Sequence, residues 1–351
     1  MPHTTRLPRY VPEQVAVYQT DALITQPVCR FDVAEAVAAL RDGRRVVAID
    51  IGGDKIRSAR YSIQDGAMVR GDERVTQSRG GAGYLDILED LAREAARDDL
   101  PVGISSATKM DGSVIARTVN LPILRDEMRD RHGGDYASIF PGRSFVANDT
   151  VAGICGAATQ LALRGEPSGH VGFIICASGM GGSVVADGVA THVEVAHVPL
   201  AKALNPLGQA TPCGVEGREY VCVERVAAAR AGIEDIWRQR TGEAVDGQAL
   251  GRRYEAGDAL ATTLYETSAL AVAHAIVGLA TRYRFPSDDG VVVLHGGNFE
   301  MPRYREAVTR NLEAMPGPCP RIVFSRDLSA NTCLDGAAIL GLLSPERVVT
   351  P

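Results

Sequence analysis

Three pairs of glycines each close a short apolar run. Gly52-Gly53 follows Arg45-Val-Val-Ala-Ile-Asp50-Ile51, Gly179-Met180-Gly181-Gly182 follows Gly172-Phe-Ile-Ile-Cys176, and Gly296-Gly297 follows Val291-Val-Val-Leu294. Phosphate is bound by backbone N–H groups at close range, and a residue without Cβ lets the chain come near enough. One such pair is as easily a tight hairpin; three in one chain, each behind a buried-type strand, point to a nucleotide. Asp50 ends the first run, where a carboxylate can hold Mg2+ through a water.

Asn148-Asp149 stands between a strand and a helix. An alcohol attacking a γ-phosphoryl group has to lose its proton, and an aspartate can take it. The same pair also suits a helix N-cap. Glu194-Val-Ala-His197 sets a carboxylate and an imidazole three residues apart, a combination that grips polyols. His197, Cys213 and Cys222 are also zinc-ligand types, one short of the usual four.

The elements that must position these groups are legible in outline. Arg45 to Asp50 and Ile56 to Ile63 read as two strands around the Gly-Gly turn, with Asp65-Gly66 turning into a third. Apolar residues at 84, 85, 88, 91, 92 and 95 have helical spacing. A strand at Val102 to Ser105 precedes a hairpin around Asp111-Gly112. Phe145-Val146 runs into Asn148, and a Gly/Ala-rich helix reaches Leu163. Ser183 to Ala186 returns from the second glycine turn, helices fill most of 224 to 283, and a small-residue helix spans Gly336 to Leu343. Before all of this, Asp32 and Glu35 make a capping box for a helix ending at Gly43. The expected class is α/β, with two related lobes each bringing a glycine-rich hairpin to one ligand. The boundaries read as an extension at 1–44, a small lobe at 45–143 and a large lobe at 144–334. A C-terminal helix at 335–351 is free to return to the small lobe.

Length and composition agree with that picture. A chain of 351 residues, 45% apolar and 23% charged, can fill two cores. A net charge of −6 does not favour nucleic-acid binding. Seven scattered cysteines suit reduced thiols better than a disulfide framework. No charged-then-apolar leader opens the sequence and no apolar run reaches membrane-spanning length, so a cytoplasmic location without a membrane partner is expected. Lys55, Lys109 and Lys202 are the only lysines among 37 basic residues, a skew toward arginine that suggests a GC-rich genome.

In order and spacing, these motifs resemble those of the ROK family (repressors, open reading frames, kinases) of actin-like sugar kinases, over about 45 to 345. Asp50-Ile-Gly52-Gly53-Asp54-Lys55 is similar to its first phosphate motif, and Ser178-Gly179-Met-Gly181-Gly182 to its second. Val119-Asn120-Leu-Pro122 resembles its sugar-contacting Asn-Leu-Pro segment. Asn148-Asp149 resembles its sugar-binding and base pair, and Glu194 to His197 its Glu-x-Gly-His signature. Glu255-Ala-Gly-Asp258 resembles its late helix, and His295-Gly296-Gly297 its adenosine-side glycines. The resemblance implies the actin-like (ribonuclease H-like) two-domain fold, ATP and Mg2+ as cofactors, a sugar or sugar-like acceptor and a homodimer. It implies Asp149 as general base and Asp50 as the residue placing Mg2+. Asn120, Asn148, Glu194, His197 and Glu224, the last from Cys222-Val-Glu224, would hold the acceptor.

Four departures stand out. The family's zinc segment survives here as Cys213-Gly214 and Cys222-Val-Glu224, with Thr211 in place of a cysteine, which argues against zinc. Asp54 replaces a threonine beside the phosphates, where a carboxylate is repulsive unless Mg2+ or an arginine offsets it. The usual Gly-Pro loop reads Ser105-Ser-Ala-Thr-Lys109, which makes Lys109 an acceptor-side candidate. Ala196 replaces the glycine before His197. The acceptor therefore need not be glucose. An aminosugar or C7-cyclitol of an antibiotic pathway is one alternative, a non-catalytic sugar-sensing regulator a second, and a degenerate kinase kept as a scaffold a third.

Overall fold

Apolar periodicity carries over directly into the elements of the computed structural model, which describes residues 23, 25–77, 81–118, 121–142, 144–200, 210–213, 220–286 and 289–343. Strand β1 (Thr25–Arg30), which the sequence pattern does not announce, precedes helix α1 (Val33–Ala39). Asp32 caps α1 by accepting from the amides of Ala34 and Glu35, and the helix stops one turn before Gly43. β2 (Arg45–Ile51), β3 (Lys55–Gln64) and β4 (Ala67–Arg70) form the expected hairpins, and β5 (Arg74–Gln77) also pairs with β3. Asp65 and Gly66 both have positive φ, 51° and 70°, as a two-residue hairpin turn requires. Helix α2 (Tyr84–Arg97) buries Tyr84, Leu85, Leu88, Leu91 and Ala95.

β6 (Val102–Ser106) leads to the small hairpin of β7 (Lys109–Asp111) and β8 (Val114–Arg117), then to α3 (Pro122–His132) and α4 (Tyr136–Ile139). β9 (Ser144–Asn148) runs straight into α5 (Asp149–Leu163). β10 (Val171–Cys176), β11 (Met180–Ala186) and β12 (Val189–Val193) follow. The second glycine turn is tighter than expected. Its hairpin turns at 177–179, where the Ala177 amide donates to the Gly179 carbonyl at 2.8 Å. Gly181 and Gly182 already belong to β11.

Helices α6 (Glu224–Ala227), α7 (Asp235–Thr241), α8 (Gly247–Glu255) and α9 (Ala259–Arg282) come next, with a π-helical stretch at Ala229–Glu234. β13 (Val291–His295) ends in a 3-10 turn, Gly297–Glu300, before α10 (Pro302–Glu313), β14 (Arg321–Phe324), α11 (Ser325–Leu328) and α12 (Thr332–Leu342). By length and composition α9 could cross a membrane, contrary to the expectation that no run would. With 89% of its apolar window buried inside the protein, it has the setting of a core helix.

The chain divides into two units. One holds Leu23, Thr25 and the described residues of 172–182 and 193–324. Within it β10, β13 and β14 neighbour one another in that order, the last two parallel, with Val291 opposite Arg321. The other holds the described residues of 26–171, 183–192 and 325–343. Its mixed sheet runs β4-β3-β2-β6-β9, antiparallel through the hairpins and parallel from β2 to β9. Ile49, Ile51, Ile104, Leu88 and Leu124 centre the core on one face of that sheet.

On α12 the small residues allow backbone-to-backbone packing. A Cβ on Gly336 would sit 1.7 Å from the Ala152 carbonyl oxygen of α5, and one on Gly103 of β6 would sit 1.7 Å from the Ala337 carbonyl. The first turn of the same helix is tied by a buried ion cluster. Asp335 Oδ1 accepts from Tyr61 Oη at 2.6 Å and from Arg70 at 2.8 Å. Gly336→Ala should lower the unfolding free energy by about 3 kcal/mol, read from chemical denaturation, because a backbone cannot yield as a side chain does. At an exposed helical position the same change would add about 1 kcal/mol. A denaturation midpoint at or above the parent's would show that α12 does not lie against α5 in this way.

Candidate active site

The second unit assembles one group of polar residues at the ends of its parallel strands. Asn148 ends β9 and caps α5, its Oδ1 accepting from the Thr150 amide at 3.0 Å and from the Thr150 hydroxyl at 2.7 Å. Its Nδ2 donates to the Thr108 carbonyl at 3.0 Å, so the turn before β7 is tied to it. Asp149 is the first residue of α5, and its Oδ1 also accepts from the Thr150 amide, at 2.9 Å. Asn148 is the N-cap of the helix, and Asp149 shares the Thr150 amide with it through one oxygen.

Asp50, at the end of β2, accepts from Ser105 Oγ at 2.8 Å through one oxygen and from Asn331 Nδ2 at 3.4 Å through the other. Arg57, its cross-strand partner on β3, stands 3.5 Å from that second oxygen. A carboxylate offers about four acceptor positions, of which these three partners leave about one. The Asp149 carboxyl is pushed up to about 7, chiefly by burial and then by the charge of Asp50, against the opposing pull of His192, the Thr150 amide and Asn148. Asp149 keeps some exposed surface, but its carboxylate is enclosed by protein on most sides, and desolvation of the charged form dominates. Lys109 is exposed one residue beyond Thr108 and pairs across the hairpin with Arg117. Asp54 and Lys55 are exposed beside Gly52 and Gly53.

A separate group forms in the first unit around the second glycine turn. Glu224, at the start of α6, accepts from the Met180 amide at 3.2 Å through Oε1. A Cβ at Gly179 would lie 3.0 Å from that oxygen. Its Oε2 lies 3.8 Å from His197 Nδ1, and His197 Nε2 lies 4.0 Å from Glu194 Oε2. Glu224, expected only to hold an acceptor, therefore also bonds the turn that carries Ser178 and Gly179. Gly182 and Gly296 have packing reasons of their own. Added Cβ atoms would meet Val195 at 2.8 Å and the Cys176 carbonyl at 2.0 Å, whereas around Gly297 there is open space.

The zinc-type ligands converge as well. His197 Nδ1 lies 3.6 Å from Cys213 Sγ and 3.9 Å from Cys222 Sγ, and all three atoms fall within 4.8 Å of one another. Ligands on a tetrahedral zinc are about 3.5–3.8 Å apart, a spacing that the two distances to His197 approach and the 4.8 Å limit of the whole group exceeds. Thr211, which stands in place of a cysteine of the family pattern, directs its hydroxyl to Asp235 at 3.5 Å. Burial pushes the Cys222 thiol up to about 12, and a bound cation would have to displace that proton.

Asn120 lies outside the described residues, as do 1–22 and 24 of the N-terminal segment and 344–351 of the C-terminal one. Sequence reading missed Arg57, Asn331, Thr150 and His192. The first was accessible, since a hairpin turning on Gly52-Gly53 sets Asp50 opposite Arg57. His192 carries no local signal, being one histidine on a short strand 42 residues beyond its partner Thr150.

Comparison with known proteins gives the context. The ROK family model matches residues 143–343. No curated protein matches. Among solved structures, the ROK hexokinase from Thermus thermophilus is 25% identical, with a TM-score of 0.60 over 84% of this chain and 97% of that one. A ROK family glucokinase from Streptomyces griseus, in complex with glucose and AMPPNP, is 20% identical with a TM-score of 0.58 over 84% and 98%. A ROK family transcriptional regulator, a homolog of the E. coli MLC protein, is 16% identical with a TM-score of 0.58 over 92% and 86%. The fold is the actin-like α/β fold of these proteins.

The Asp149 environment has a thermodynamic signature. A carboxyl raised from 3.8 to about 7 on folding contributes stability in full below 3.8, and loses it as pH rises through about 7. Asp149→Asn, uncharged and nearly isosteric, should therefore raise Tm more at pH 8 than at pH 4. An equal effect at both values would mean that the carboxyl is not held in this state.

Proposed function

The chain belongs to the ROK family, and from that premise we infer that it moves the γ-phosphoryl group of ATP to a hydroxyl of a sugar or sugar-like polyol. One observation carries the reading: a carboxyl poised near neutrality at the N-terminus of α5, with Asp50 nearby held by Ser105, Asn331 and Arg57. A general base works best when its pKa lies near the operating pH. The acceptor hydroxyl gives its proton to Asp149 as its oxygen bonds to the γ-phosphorus, and the bond from that phosphorus to the ADP oxygen breaks. Asp50 would hold Mg2+ through water, which supplies charge neutralisation at the phosphates. Backbone amides of the turns at Gly52-Gly53 and Gly179 would meet the phosphates, and Gly296-Gly297 the nucleoside. Glu194, His197 and Asn148 would orient the acceptor, with Asn120 assigned by resemblance. Zinc at His197, Cys213 and Cys222 would be structural and would hold the imidazole in place.

The AMPPNP in the Streptomyces griseus relative supports ATP as donor. For the acceptor, the loop that ends in Lys109 favours a compound other than plain glucose, and an aminosugar or C7-cyclitol is the finer form of the proposal. A cytoplasmic homodimer and lobes at 45–143 and 144–334 complete it, on the strength of the family resemblance.

The test is a coupled ADP assay on a panel of glucose, kanosamine, N-acetylmannosamine and valienol-like cyclitols. With the acceptor that turns over, Asp149→Asn should lower kcat at least about a hundredfold while calorimetry finds ATP binding retained. Because only the ionised carboxylate accepts a proton, wild-type kcat should rise with pH and level off above about 7. Turnover by the Asn variant at the parent rate would remove Asp149 from the chemistry. No turnover of any acceptor, with tight salt-sensitive binding to one DNA site, would replace the kinase by a regulator.

A further inference from the structure

We propose that His192 is a positioning residue of the transfer reaction, holding the Asn148-Asp149 turn in its working orientation through the hydroxyl of Thr150. This role rests on the kinase reading with Asp149 as base. His192 lies on β12, and its Nδ1 is 3.1 Å from Thr150 Oγ1. The direction of that bond follows from the neighbouring ones. Asn148 donates through Nδ2 to the Thr108 carbonyl and accepts through Oδ1 from the Thr150 amide, so its carboxamide has one orientation. The single Thr150 hydroxyl proton, 2.7 Å from Oδ1, is then committed to that oxygen. The hydroxyl can only accept from the imidazole, and His192 must carry its proton on Nδ1.

The chain of bonds thus runs from imidazole to hydroxyl to carboxamide, ending at the loop that carries Lys109. The other side of the same residue is held too, since Ser183 Oγ on β11 donates to the Thr150 carbonyl at 2.6 Å. With both sides fixed, the Thr150 amide is presented to Asn148 and Asp149 together. Electrostatics adds a second effect. Asp149 faces Asp50 from β2, with Arg57 of β3 beside it, the Cys333 thiol from α12, and His192 from β12. Of these, His192 favours the ionised carboxylate and Asp50 opposes it.

Three variants and one spectrum test the role. His192→Ala should lower kcat on the order of tenfold to a hundredfold with KM for ATP nearly unchanged. His192→Asn, which keeps an N–H donor near the Nδ1 position, should recover most of kcat. Thr150→Val should match His192→Ala, and it decides the matter if the alanine variant does not fold. Long-range nitrogen–proton NMR of the whole wild-type protein should show His192 protonated on Nδ1, whether or not an acceptor is known. Wild-type kcat and pH profile in His192→Ala, or in Thr150→Val, would overturn the role, as would a neutral His192 protonated on Nε2. Absence of transfer by the wild type on every acceptor would sink the kinase reading and this role with it. That failure is distinct from loss of the role alone, in which the parent turns over and the variants match it.

Discussion

The contact on which the second unit depends is the approach of α12 to α5 and β6 at backbone distance. Gly103, Gly156, Gly336 and Gly341 each lack a Cβ that would overlap main-chain atoms across that contact. Packing this close fixes one helix against another to within fractions of an ångström, since no side chain stands between to adjust. Three consequences for chemistry follow. The N-cap of α12, Asn331, reaches Asp50. The N-terminus of α5, with Asn148 and Asp149, is held in relation to β2 and β6. And Asp335 is buried deeply enough to need both Tyr61 and Arg70 as partners, which keeps β3 and β4 attached to the same helix.

Within that frame, two carboxylates occupy one neighbourhood under unequal conditions. Asp50 is surrounded by a hydroxyl, an amide and a guanidinium. Asp149 has backbone and amide donors, and burial outweighs them. Environments of this kind divide labour between otherwise identical groups: one carboxylate stays available for a cation, while the other gains the proton affinity that a base requires. The left-over charge problem, a second anion so close to the first, is eased by Arg57 on one side and His192 on the other.

The other unit solves a different problem, which is to hold a backbone turn still. Glu224 bonds the Met180 amide and reaches toward His197, so the glycine turn, the helix start and the Glu194-His197 pair share one carboxylate. Gly296 packs against the Cys176 carbonyl and joins the end of β13 to the end of β10. Gly182 and Gly296 of this unit are therefore required by packing.

Much of this was legible before any coordinates. The glycine turn between the two strands of 45–63, helical spacing in 84–95 and the runs ending at Cys176 and Leu294 placed the strands and helices to within a few residues, because those patterns are local. Asp50, Asp149, Glu194 and His197 stood out as candidates because their types and order resemble the motifs of one family. The fold alone showed that Asn148 and Asp149 share the Thr150 amide, that Glu224 ties down a turn, that Cys213 and Cys222 meet His197, and that Thr150 finds His192. Those facts depend on distances between residues tens or hundreds of positions apart. A chain's covalent order does not encode such distances until close packing has chosen which surfaces touch.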